Sequence, residues 1–268
     1  MAIITISRGA FSGGKEFADC IARGMGYRLV SWEMLVAAST QYGIPQKELE
    51  HALADKPGML ERIGVETIHY LAYIQSALYK EIQYDGVVYY GYAGHILLRK
   101  VPHIFRVRII ANMESRIKLA MTRTNLRRKE AINYIKQRDN ERAEWTKHFY
   151  NMDLNDPNLY DLIINFNQIS PNSASKIVCS IAKKPVFQYN EQVRYTMENL
   201  ILGADVRAEI AIKANGRDKD VEVEMEDGIV ILSGVVSTME DADLIKRIAI
   251  QVPGVKDLKS LMKIVTYE

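Results

Sequence analysis

The sequence predicts an α/β protein: a mostly parallel sheet with helices on both faces, followed by a small α-β-β-α-β unit. Three observations carry this. Short β-branched or aromatic runs ("AIITIS", "GVVYY", "HIFRVRIIA", "YDLIINF") alternate with longer segments of helical period, as buried parallel strands and their crossover helices do. The first run leads straight into a glycine-rich loop that opens a helix. The rhythm then breaks at "KKPVFQYNEQ", beyond which period-two alternation and a hairpin signal take over. The expected domains are residues 1–186 and 193–268.

Within the first domain, "AIITIS" reads as a buried strand, and Phe17, Ala18, Ile21, Ala22 and Met25 recur at helical spacing up to a stop at Gly26. Residues 31–55 read as helical, interrupted at "YGIP", and residues 59–84 as a long amphipathic helix ending before "YDG". "GVVYY" and "HIFRVRIIA" are the next strands, with Asn112 or Ser115 opening the helix "MESRIKLAM". A strongly charged helix over 129–150 precedes the strand "YDLIINF", and Ser170-Pro171 supplies an N-cap and an N1 proline for a helix to 183. Beyond the linker, a helix over about 194–214 leads to "KDVEVEMEDG", where "DG" turns the chain into "IVILSGVV". A helix capped by Thr238 and a last strand near 258–266 complete the unit.

Composition bounds the function. With 48% hydrophobic and 25% charged residues, a sizeable core forms and global disorder is excluded. The apolar stretches are too short to cross a bilayer, and no basic segment followed by an apolar one opens the chain, so a cytoplasmic location is expected. Cys20 and Cys179 lie far apart in apolar-periodic segments and are expected as buried free thiols, and no Cys/His spacing suggests a metal. The net charge of +2 is unevenly spread: residues 193–268 hold 10 basic and 14 acidic side chains, residues 99–142 hold 13 and 4. Such a split suits two units with different partners, and a concentrated basic stretch suits phosphates. No aromatic-and-basic single-strand platform accompanies it, so nucleic acid is not an expected partner.

The stretch "SRGAFSGGKEFA" gives Gly9, Gly14 and Lys15 the spacing G-x-x-x-x-G-K of a phosphate loop. Its backbone N–H groups and the helix start would face an anion, and Lys15 would neutralise it. Glu16 stands where a hydroxyl normally ligates magnesium. It reads either as a metal ligand through water or as a favourable acid in the first helical turn. A second loop, "VVYYGYAGH", follows a buried strand, where ligands sit in open α/β sheets. Gly91 and Gly94 allow close approach, and His95 reads equally as a ligand-side group or as a cap or core histidine. Arg138 and Arg142 lie four apart on one helical face. They suit either the charge that develops in phosphoryl transfer or a solvated helix with i,i+4 pairs.

Together these segments, with "NDPNLYDLIIN", resemble the cytidylate-kinase-like family of nucleoside monophosphate kinases over roughly residues 1–184. "VEVEMEDGIVILSGVVSTMEDADLIKRIAIQVPGV", with Gly228, Gly234 and Gly254, resembles a BON domain, a small module linked to phospholipid or protein contact. The first resemblance implies a P-loop core, a monophosphate-binding segment over about 31–85 and an Arg-bearing lid over about 122–150. Gly9, Ser12, Gly13, Gly14 and Lys15 would cradle ATP, Arg123 would lie near its adenine, and Lys15, Arg138 and Arg142 would act on the transferring phosphate. Gly91, Tyr92, Gly94 and Asp139 would face the substrate, with ATP and Mg2+ as cofactors and CMP or dCMP as acceptor. Where cytidylate kinases proper have Gly-Arg-Asp, this chain has Gly91-Tyr92-Ala93, preceded by Tyr90 in place of a carboxylate, and Trp32 falls in a substrate-side stretch. The implied activity is therefore an ATP-dependent nucleoside monophosphate kinase-like transferase. The alternative is a catalytically silent nucleotide sensor acting through its BON module on a protein partner or membrane surface.

Overall fold

The computed structural model describes residues 1–39 and 64–265. The helix expected through residue 55 and its break at "YGIP" therefore lie largely outside the described residues. The chain forms two compact units, each drawn from two stretches: Met1–Met34 with Tyr84–Asn190, and Leu35–Gln83 with Glu191–Glu268. The sequence rhythm divides the chain once, near 186–193, whereas the packing joins the described residues 35–39 and 64–83 to the C-terminal part.

The first unit is a five-stranded parallel sheet. Its strands are β1 (Ile3–Arg8), β2 (Arg28–Ser31), β3 (Val87–Tyr90), β4 (Ile104–Ile110) and β5 (Leu162–Asn165), in the order β2-β3-β1-β4-β5. Ile4 pairs with Val88 on one side and Phe105 on the other, so β1 runs through the middle, buried on both faces. Helix α1 (Gly14–Met25) lays Phe17, Ala18 and Ile21 on the core of Ile4, Ile6, Val88, Val107 and Ile109. Strand β2 was not expected. Only Val30 of its four residues is buried, so it carries no run to read, and it leads directly into α2 (Trp32–Ser39). Cys20 and Cys179 are free but half-buried rather than buried.

Helices α4 (Met113–Thr124) and α5 (Arg128–Tyr150) pack through Ile117, Ala120, Ala131 and Ile135. Asn112, not Ser115, is the N-cap of α4 and accepts from the Ser115 N–H at 2.8 Å. Ser170 caps α6 (Pro171–Ala182), with Pro171 at its first position.

In the second unit, β6 (Asp220–Glu226) and β7 (Ile229–Val236) form an antiparallel hairpin. Asp227 and Gly228 both adopt positive φ in its turn (54° and 80°), the geometry of a tight hairpin turn. Instead of one last strand there are two short ones, β8 (Asp257–Ser260) and β9 (Lys263–Ile264), both parallel to β7. Helices α7 (Glu191–Lys213) and α8 (Met239–Ile250) cover the sheet through Val206, Ile210, Ile245 and Ile248, and Thr238 caps α8.

Helix α3 (Gly64–Ile82) belongs to this second unit. Ala72 and Tyr73 meet Ala208 and Ala211 of α7, while Ser76 and Lys80 both reach Asp205, at 2.5 and 3.0 Å. Asp218, fully buried, accepts from Arg207 at 2.7 Å and lies 3.1 Å from the His69 ring. Burial alone would raise the Asp218 carboxyl pKa, but the bond to His69 and the charge of Arg207 outweigh it and hold it low. The same burial, with the Asp218 charge, pushes Tyr73 up to about 12.

Candidate active site

The carboxyl ends of β1, β3 and β4 meet at the loop 9–13, where an open α/β sheet places its ligands. Gly13 turns the chain into α1 at φ 84°, and the Ser12 hydroxyl donates to the Gly9 carbonyl at 2.9 Å. Two other helices hold the loop. The Ala10 N–H donates to Asp139 Oδ1 at 2.8 Å, Arg116 Nε donates to the Ala10 carbonyl at 2.8 Å, and Arg116 and Asp139 pair with each other. Phe11 sits at φ 55°, a left-handed conformation that costs a non-glycine residue about 1–2 kcal/mol. Its ring compensates by packing 5.9 Å from Tyr134, against the α4–α5 cluster.

A cavity of about 210 Å3 opens over this loop and gathers most residues singled out in the sequence: Gly9, Ser12, Gly13, Gly14, Lys15, Tyr92, Arg123, Arg138 and Arg142. Lys15 Nζ lies 3.3 Å from Asp19 in an exposed pair, too weak to hold it from an anion. Arg138 pairs with Glu141 at 3.1 Å and sits over the Tyr134 ring. Burial works against its charge, and the Glu141 bond together with Tyr134 outweighs it and raises its pKa. Arg142 donates to the Arg8 carbonyl at 3.2 Å and lies 5.3 Å from the Tyr92 ring centroid. Glu16 is exposed in the first turn of α1 and does not line the cavity. Among the described residues no three His, Cys, Asp or Glu side chains are grouped for a metal, and no helix is long and apolar enough to cross a membrane.

Two expectations change on the substrate side. A Cβ on Gly91 or Gly94 would come within 2.2 Å of Tyr89, so a tyrosine rather than a ligand fills the space these glycines leave. Tyr89 is fully buried, and burial raises its pKa. Asp139 holds the loop backbone and borders a separate cavity of about 280 Å3 behind Gly9. His95 is a core histidine: its Nε2 lies 3.4 Å from the Tyr160 hydroxyl, and burial, with Arg108 and Arg106, lowers its pKa to about 3. Tyr92 meets Trp32 edge-on at 5.2 Å. Sequence reasoning overlooked Arg8 and Arg116. Arg8 was findable as the polar residue ending a buried strand; Arg116 reads as one more basic residue on a charged helix.

The cytidylate kinase-like family matches residues 3–168. The chain belongs to that family. Residues 200–266 match the BON domain. The cytidylate kinase of Methanothrix thermoacetophila is 28% identical over 164 residues, covering 61% of this chain and 87% of that protein. An uncharacterized protein from Eubacterium ventriosum superimposes with a TM-score of 0.54 at 19% identity, over 67% of this chain and 97% of its own. Shikimate kinase from Bacteroides thetaiotaomicron gives a TM-score of 0.39 at 11% identity, over 68% and 99%. In this chain Tyr90 ends β3 and Tyr92 follows two residues on. There the wall of its cavity is aromatic.

Proposed function

We propose that the protein is an ATP-dependent nucleoside monophosphate kinase-like phosphotransferase, with CMP or dCMP as the acceptor class. One observation carries the reading: a single cavity collects the glycine loop with Lys15, Arg123 from α4, and Arg138 and Arg142 from α5. Phosphoryl transfer needs mainly positioning and positive charge around the moving group. Lys15 would neutralise the donor's terminal phosphates, Arg138 and Arg142 the charge of the transition state, and Arg123 would lie at the base. Magnesium fits as an ion carried on the triphosphate, since its coordination is met largely by phosphate oxygens and water. It would spread the charge of the β and γ phosphates, while Glu16, exposed and outside the cavity lining, would serve as an acid in the first helical turn. This work belongs in the cytoplasm, and the acidic C-terminal module would serve a protein partner.

The test is ADP formation across a panel of ribo- and deoxyribonucleoside monophosphates, with Lys15→Ala as control. Turnover of a cytidine nucleotide, lost at least 100-fold in Lys15→Ala, is the expected result. The aromatic wall of Tyr90 and Tyr92, the latter backed by Trp32, favours a second reading, a catalytically silent nucleotide sensor. Tight ATP binding with no acceptor turned over would establish that reading and sink the first.

A further inference from the structure

Arg8 ends β1 and turns its side chain across the mouth of the loop. Its guanidinium carbon lies 3.6 Å from the Tyr90 ring centroid, and Nη1 donates to the Gly91 carbonyl at 3.3 Å. It borders both the cavity over the loop and the one behind it. The path is built for it: a Cβ on Gly14 would fall 2.6 Å from Arg8 Cδ. What Arg8 lacks is an acid. Arg106, Arg116 and Arg138 are paired with Asp161, Asp139 and Glu141. Among the described residues, no carboxylate stands within ion-pair distance of Arg8 or of Arg142. Arg142 Nε is buried without a hydrogen-bond partner, although half-buried charges at close quarters are costly unless compensated. Burial and the Arg142 charge both lower the Arg8 pKa, against the influence of Tyr90. Two cations that disfavour each other and face one cavity lack an anion between them.

We propose that Arg8 and Arg142 form the seat of the acceptor's own phosphate, Arg8 replacing from β1 the guanidinium that Tyr92 does not supply. A phosphomonoester matches the planar fork of Arg8, which the bond to the Gly91 carbonyl and the stack on Tyr90 hold in place. The acceptor class is then a phosphorylated one, and the unphosphorylated nucleoside is not a ligand. This rests on the proposed transferase reading only for the name of the acceptor; the anion seat stands on its own geometry.

The test uses the full chain and two independent probes. Inorganic phosphate, titrated alone and followed by thermal shift and Trp/Tyr fluorescence, reports the seat without any kinase activity. ATP and CMP affinities, measured by calorimetry, report the two sides of the cavity, with cytidine as the unphosphorylated control. Arg8→Gln is expected to weaken phosphate and CMP at least tenfold, the scale of one charge-assisted contact, and to leave ATP within about threefold. Arg8→Lys keeps the charge but not the fork and is expected to fall between; it is read alone if Arg8→Gln does not fold, as judged by circular dichroism. An unchanged phosphate affinity in the variants, or no phosphate binding by the wild type, overturns the seat. So does a loss of ATP affinity as large as that of CMP, which would put Arg8 on the donor side. If phosphate binds through Arg8 while no monophosphate is turned over, the seat holds and the transferase reading fails.

Discussion

At the scale of single residues, His95 shows what burial does to a titrating group. Its pKa near 3 in the folded chain, against about 6.5 unfolded, means that the unfolded state binds the extra proton first as pH falls. Stability is therefore fully present above pH 6.5 and is lost as the solution is acidified towards pH 3. Between pH 7 and 5 the loss is about 2 kcal/mol. Denaturant unfolding at those two pH values measures it. His95→Gln, which keeps a neutral hydrogen-bonding group, is expected to remove most of the difference, and an unchanged slope in that variant would exonerate His95. The sequence offered a ligand-side or a core histidine at this position. Only the packing against Tyr160 and the nearby Arg108 decides for the core, because neither lies close to it in sequence.

Between elements, the loop 9–13 is held by α4 and α5 as well as by its own helix. Asp139 stands between the Ala10 N–H and Arg116, and Arg116 also takes the Ala10 carbonyl. A network in which three groups share partners couples by about 1–3 kcal/mol. The expected result of an Asp139→Asn, Arg116→Gln double-mutant cycle, read by denaturant unfolding, is a coupling energy in that range; additive single effects would deny the clamp. The glycine loop was readable from seven residues because its chemistry is local. The clamp was not, because it joins residues more than a hundred positions apart that look in sequence like an ordinary charged helix. Strand β2 was missed for a different reason: four residues with one buried side chain give no period. The strands β1, β3, β4 and β5 were readable because burial on both faces writes continuous apolar runs.

On the scale of the whole molecule, an apolar cluster forms around Ile4, Phe17 and Val107 in the first unit and another around Val230, Ile245 and Ile248 in the second. A ligand that binds only the folded state raises stability by about 2.7 kcal/mol at 100 times its Kd. ATP acting on the cavity of the first unit is therefore expected to shift one calorimetric transition upward and leave a second in place. Equal shifts of both, or a single transition, would contradict two cooperative units. The fold class and both families were readable from the order of runs and glycines. The partition of the chain was not: the face that α3 presents to α7 is made of Ala72, Tyr73 and the polar Ser76 and Lys80, which no pattern marks as an interface.

That last pairing has a consequence for biosynthesis. Ser76 and Asp205 are separated by 129 residues, and a ribosome adds about 5–20 residues per second. For on the order of ten seconds, each newly made chain carries α3 without the surface that Ala72 and Tyr73 will cover. The stage most exposed to aggregation or to chaperone capture is thus a nascent chain whose glycine loop and first strands are already complete.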